Sequence, residues 1–258
     1  MVGATSSPHD APNGPVVAYS KDIVTWNWID MPKDDEGLEL NWKAIEYVNN
    51  KFIAIGRSST DYRVRWVEFE FSAESEVPTL ITSELPLGYD FMSATIIHEQ
   101  GRYVITVGGD LLYKDDGSSE WISPEGYVYG RHLAYGNSKF VVLSSHTDIF
   151  YYSEDGINWT AGTLPQSIVC NRLVFDEGSQ KFIGFIDGPM KGIESEDGIN
   201  WTFFHLPNEK DYYEDAVFGW GYIIAISKWN NIASRKTYGG WDTVLLPENK
   251  FWTSIGFD

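Results

Sequence analysis

The chain has 258 residues, 43% hydrophobic and 16% aromatic, which is ample material for a packed core and excludes a disordered chain. Nineteen basic against 37 acidic residues leave a net charge of −18, a field that repels nucleic-acid phosphates and anionic membranes. The single cysteine, Cys170, excludes an internal disulfide and any multi-cysteine metal site, and is read as a small buried hydrophobe.

Met1–Pro15 lacks the basic and apolar regions of a secretory signal, and no apolar run is long enough to span a membrane. Two short strands, VVAYS (16–20) and TWNWI (25–29), follow. Between them lies SKDIVTW, with Ser20, Asp22 and Trp26. Next come NWKAIEYV (41–48), a turn at Asn49–Asn50, FIAIGRS (52–58) and the long strand RVRWVEFEF (63–71). The loop SAESEVP (72–78) makes this unit the irregular one. HEQGRY (98–103) repeats the earlier turn, and KDDGSSEW carries Asp116, Gly117 and Trp121. The pattern is clearest in the next unit, where LAYG turns at Asn137–Ser138 into KFVVLSS. IFYYS then turns through Glu154–Asp155–Gly156 into INWTAG. SEDGINWT at 153–160, with Asp155, Gly156 and Trp159, recurs without change at 195–202 with Asp197, Gly198 and Trp201. Ser234, Gly239 and Trp241 mark the last copy.

These units each read as two β-hairpins built from β-branched and aromatic residues with turn formers between them. Asp accepts backbone N–H groups in the turn, Gly supplies positive φ, and the Trp anchors the hairpin on a neighbouring sheet. A proline closes each unit, at Pro32, Pro86, Pro124, Pro165, Pro207 and Pro247. Four antiparallel strands repeating at about forty residues predict an all-β, six-bladed β-propeller in one domain, 1–258. Its blades are expected at 251–258 plus 1–32, 40–86, 91–124, 131–165, 169–207 and 213–247. FWTSIGFD (251–258) resembles a first strand without a second, and MVGATS (1–6) resembles the missing second. The ring is therefore expected to close by pairing 251–257 with 1–6, which removes two open edges.

Tandem SxDGxxW units followed by YGNGKF-like strands resemble the Asp-box, or bacterial neuraminidase, repeat propellers. That resemblance implies a bacteriophage tail or virion protein. Sialidases of this architecture use three arginines on a substrate carboxylate, a Tyr–Glu nucleophile pair, an acidic Asp and an Arg-Ile-Pro segment. The chain has seven arginines but no Arg-Ile-Pro.

The five histidines, His9, His98, His132, His146 and His205, have no metal-ligand spacing, and no phosphate-cradling or nucleophile-elbow motif occurs. The expectation is thus of no catalytic residues, no metal and no cofactor. Aligned units place Trp42, Tyr213 and Trp252 at the start of the innermost strand, near Asn41, Asp211, Glu214, Asp215 and Asn249. Such an aromatic patch suits a sugar ligand. The function expected from sequence is a non-enzymatic bacteriophage virion protein, localised to the virion. It would be a tail or fibre propeller contacting other virion proteins or a cell-surface glycan, with oligomers permitted and no nucleic-acid or membrane partner. The alternatives are a bacterial glycan-binding module, a head decoration protein and, last, a sialidase-like hydrolase.

Overall fold

A computed structural model describes residues 2–4, 16–19, 27–33, 36–38, 40–58, 60–70, 79–86, 94–144, 147–187, 191–206, 213–219, 222–227, 232–237 and 240–245. Among these residues there is no helix. The strands form antiparallel sheets whose members follow chain order. The first sheet joins β1 (Val2–Ala4), β2 (Val16–Tyr19) and β3 (Asn27–Asp30). The second joins β4 (Asn41–Val48), β5 (Lys51–Arg57), β6 (Val64–Glu70) and β7 (Thr79–Leu85). The third joins β8 (Ala94–Glu99), β9 (Arg102–Val107) and β10 (Asp110–Asp115), and a bridge from Tyr113 to Ile122 starts a fourth rung. The fourth joins β11 (His132–Gly136), β12 (Lys139–Leu143), β13 (Thr147–Ser153) and β14 (Thr160–Ile168). The fifth joins β15 (Cys170–Asp176), β16 (Lys181–Ile186), β17 (Lys191–Ser195) and β18 (Thr202–His205). The sixth joins β19 (Tyr213–Gly219), β20 (Tyr222–Ser227), β21 (Ile232–Thr237) and β22 (Gly240–Leu245).

Local chemistry explains the hairpins. Asn49–Asn50, Gln100–Gly101 and Asn137–Ser138 all sit at positive φ, as tight turns with the right-handed strand twist require. Two residues ahead of each turn, a ring on the first strand meets an aromatic ring on the second. Tyr47 and Phe52 have centroids 4.8 Å apart, His98 and Tyr103 4.5 Å, and Tyr135 and Phe140 4.6 Å. The basic residue that opens the second strand pairs with a carboxylate on the third: Lys51 with Glu68, Arg102 with Asp115, Lys181 with Glu194.

The Asp-containing turns join sheets as well as strands. In the fourth sheet the Asp155 carboxylate accepts from the backbone N–H of Ile157 and Asn158, from the Asn158 amide and from the Ser153 hydroxyl. The Asp197 carboxylate accepts the same set from Ile199, Asn200 and Ser195. Burial opposes the charge, but these donors outweigh it and hold both carboxyls well below the usual range. The turn of the preceding sheet docks on the carbonyl beside each. The Gln100 amide donates to Glu154 O at 3.0 Å, and the Asn137 amide to Glu196 O at 2.8 Å. The Trp marker packs backwards too, Trp121 edge-on to Trp66, Trp201 to Phe150 and Trp241 to Phe185. Asp116 departs from this pattern, accepting from or pairing with His98 Nε2 at 2.9 Å. Asp22 and Trp26 lie outside the described residues, as does the 251–257 segment on which ring closure was expected.

Candidate active site in the axial channel

First strands of successive sheets, β4, β8, β11, β15 and β19, lie side by side around a common axis. Their register defines a single level on that axis. Ala44 pairs with Ile55, Thr95 with Thr106, His132 with Leu143, Arg172 with Phe185 and Asp215 with Ile226. In every case the partner is the fifth residue of the second strand. Four adjacent sheets therefore present Thr95, His132, Arg172 and Asp215 at one height, and Glu46 stands two residues further along β4.

Glu46, Thr95 and Arg172 border a cavity of about 210 Å³ that is also lined by Tyr135 and Phe218. Arg172 is its centre. Its Nε lies 3.2 Å from Asp215 Oδ1 and donates to the Ala216 carbonyl, while Nη2 lies 3.8 Å from Glu46 Oε1. Two first strands, β8 and β11, separate β4 from β15, so the Glu46 contact spans the axis. One guanidinium thus serves two carboxylates, and the nearer one, Asp215, is also hydrogen-bonded by the Ala216 N–H. Glu46 is the weaker claimant. Its burial raises its pKa, Arg172 pulls it down and Asp215 pushes it up, with a net rise. A carboxyl of this kind exchanges a proton closer to neutrality than an ordinary glutamate.

His132 donates to the Cys170 carbonyl. Burial, then the charges of Arg172 and Arg131, press its pKa to about 3, so the ring is neutral with one acceptor nitrogen. Cys170 is buried and its thiol is pushed up to about 12, chiefly by burial, which removes it as a nucleophile. Among the described residues no cluster of three His, Cys, Asp or Glu side chains is placed to hold a metal ion.

Of the aromatic patch expected from sequence, Trp42 and Tyr213 are described and Trp252 is not. Trp42 lies over Gly56, where a Cβ would come within 2.7 Å of the indole. The ring packs on Met31, Ala54, Val67 and Phe69. Tyr213 is 2% exposed and faces Phe185, with ring centroids 5.9 Å apart. A register shift explains both positions. Bulges between Trp42 and Ala44, Cys170 and Arg172, and Tyr213 and Asp215 turn the residue before the bulge into the inter-sheet core. After the second and third bulges, Arg172 and Asp215 turn the other way and meet each other. Asp215, named from sequence as a neighbour of the patch, thereby joins Arg172. Glu46, Thr95, His132 and Arg172 were not singled out as site residues by sequence, although Thr95, His132 and Arg172 share one level once the units are aligned by their second strands, with Glu46 two residues off it.

No known protein family's sequence profile matches the chain, and neither does any curated protein sequence. Solved structures do resemble it. One is a catalytically inactive histidine-to-alanine variant of virginiamycin B lyase from Staphylococcus aureus with quinupristin. It has a TM-score of 0.68 and 9% identity over 96% of this chain and 89% of that one. A streptogramin B lyase has a TM-score of 0.63 and 10% identity over 81% of this chain and 70% of that one. A luciferin-regenerating enzyme has a TM-score of 0.52 and 10% identity over 81% and 78%. These structures correct the sequence-based expectation of a non-enzymatic bacteriophage virion protein without catalysis. These three folds are those of enzymes, and nothing in them is particular to bacteriophages or to Asp-box repeats. At this level of identity the likeness is one of architecture, and the architecture is that of a β-propeller.

Proposed function

We propose that this chain is a propeller enzyme that moves a proton in its axial channel. Its substrate would be a carbonyl compound, with Glu46 as the acid–base group and Arg172 as the partner of the substrate oxygen. The observation that carries this reading is the Arg172 guanidinium shared across the axis by Asp215 and Glu46. Asp215 keeps Arg172 charged and oriented, and Glu46 stands beside it as a carboxylate whose raised pKa makes it a stronger base than an ordinary glutamate. In the reaction Glu46 removes the proton next to the carbonyl, and the negative charge that develops on the carbonyl oxygen meets Arg172. The electron pair of the broken carbon–hydrogen bond then forms a carbon–carbon double bond to the next carbon, whose bond to oxygen breaks; that bond's pair leaves on the departing oxygen, which takes the proton back from Glu46. Elimination is favoured over hydrolysis because two of the proteins of similar fold are lyases. A cavity of about 210 Å³ admits a small carbonyl compound or one arm of a larger one.

The same reading takes the ring as six-bladed and closed by 251–257 against β1. In support, among the described residues the first sheet has β1, β2 and β3, one strand fewer than the four-stranded sheets. FWTSIGFD carries the residue pattern of one.

The test is product formation from quinupristin and a panel of simpler lactones and esters, followed by mass spectrometry. Glu46→Gln and Arg172→Met are each expected to lower the rate by about 10²-fold or more, with thermal midpoints close to that of the parent. No product from any compound, or equal rates in the parent and both variants, would overturn the reading.

A further inference from the structure

On the flank between the second and third sheets, away from the channel, three aromatic rings surround one amine. Lys114 Nζ lies 5.0 Å from the centroid of Trp121, 5.3 Å from Tyr103 and 5.5 Å from Trp66. The rings stand as walls rather than as a stack. Trp66 meets Tyr103 at 84° and Trp121 at 63°, with centroids 5.5 and 5.1 Å apart. Two walls are fixed by hydrogen bonds. The Trp66 indole donates to Glu68 Oε1, and the Tyr103 hydroxyl accepts from the Asn49 amide. Trp66 and Tyr103 are buried, at 1% and 5% exposure, while Trp121 and Lys114 are partly open to solvent.

Three ring faces around a cation form the arrangement that recognises alkylammonium ions. A primary ammonium is a poor match for it. Such an ion is compact and strongly hydrated, and it gives up hydration to enter. Among the described residues no carboxylate stands within ion-pair distance of Lys114, and burial lowers its pKa despite the attraction of Glu68 and Asp116. A quaternary ammonium loses less hydration and fills the box with methyl groups, and the net charge of −18 draws cations to the surface.

We propose that the box formed by Trp66, Tyr103 and Trp121 is a binding site for quaternary alkylammonium groups, with the side chain of Lys114 as a resident plug that the ligand displaces. Lys114 extends from the outer strand β10 on a flexible stem, so leaving the box requires only rotamer changes. Trp121 is the wall that a ligand passes.

The test is calorimetric titration with choline chloride and with tetramethylammonium chloride, against potassium chloride at equal ionic strength. Saturation transfer from aromatic protons to the N-methyl protons is read alongside. The parent is expected to bind at millimolar levels, and Lys114→Ala to bind about tenfold more tightly, because its internal competitor is gone. Adding Trp121→Leu to Lys114→Ala should abolish binding and transfer. Thermal midpoints near that of the parent show that each variant is folded. A folded Lys114→Ala with no saturable binding beyond the potassium control overturns the proposal, as does binding indifferent to Trp121.

Discussion

Burial and the charges of Arg172 and Arg131 keep the His132 imidazole neutral down to about pH 3, whereas an unfolded histidine takes its proton near 6.5. The folded-state value is depressed, so its contribution is complete above about 6.5 and is lost as pH falls towards 3. Thermal midpoints measured from pH 7 to 4 should fall, and they should fall less steeply in His132→Gln. Equal slopes would remove the buried neutral imidazole from this account. Asp155 works the other way in detail but with the same sign, since hydrogen bonds to its charged form depress its pKa. Replacing it with Asn keeps the shape but weakens acceptance from Ile157, Asn158 and Ser153. Chemical denaturation at pH 7 is expected to show a loss of about 1–3 kcal/mol, shrinking at acid pH.

Gly156 shows why the repeated turn holds sheets together as well as strands. It sits at φ +73°, and a Cβ there would come within 2.7 Å of Val104 on the preceding sheet. Gly198 repeats this at φ +72° against Val141, also at 2.7 Å. Gly156→Ala should therefore cost about 1–3 kcal/mol by denaturant unfolding. Val104→Ala in the same chain should return the steric part and leave the backbone strain. A Gly156→Ala variant as stable as the parent would mean that the turn does not abut the neighbouring sheet. At this scale the sequence was legible where the same residue types recur, as in SEDGINWT and the Asn-containing turns. The channel was not legible because its level is occupied by Ala44, Thr95, His132, Arg172 and Asp215, which share a position but no chemistry. Recurring aromatics drew the eye to Trp42 and Tyr213 instead. Bulges one or two residues later, which no composition signals, send those rings into the core and bring Arg172 and Asp215 to the axis.

For the whole molecule, what matters is that a ring of sheets brings opposite strands close enough for one arginine to reach across. The sheet succession could be read from the repeat, and the reaction could not, because Glu46 and Arg172 are far apart in sequence and meet only through the curvature of the ring. If residues 251–257 close the ring against β1 as proposed, removing residues 251–258 should lower the thermal midpoint sharply and broaden the transition, because that pairing would be lost. An unchanged transition would place closure elsewhere. The claim on which the catalytic reading stands is that the Glu46 carboxyl beside Arg172 in the channel has a raised pKa. Carbon-detected NMR titration of the Glu46 carboxyl measures it directly. The expected result is a pKa above the ordinary glutamate value in the parent, rising further in Arg172→Met as the neutralising charge is removed. A carboxyl that titrates at or below the ordinary value, or is indifferent to Arg172, contradicts the account.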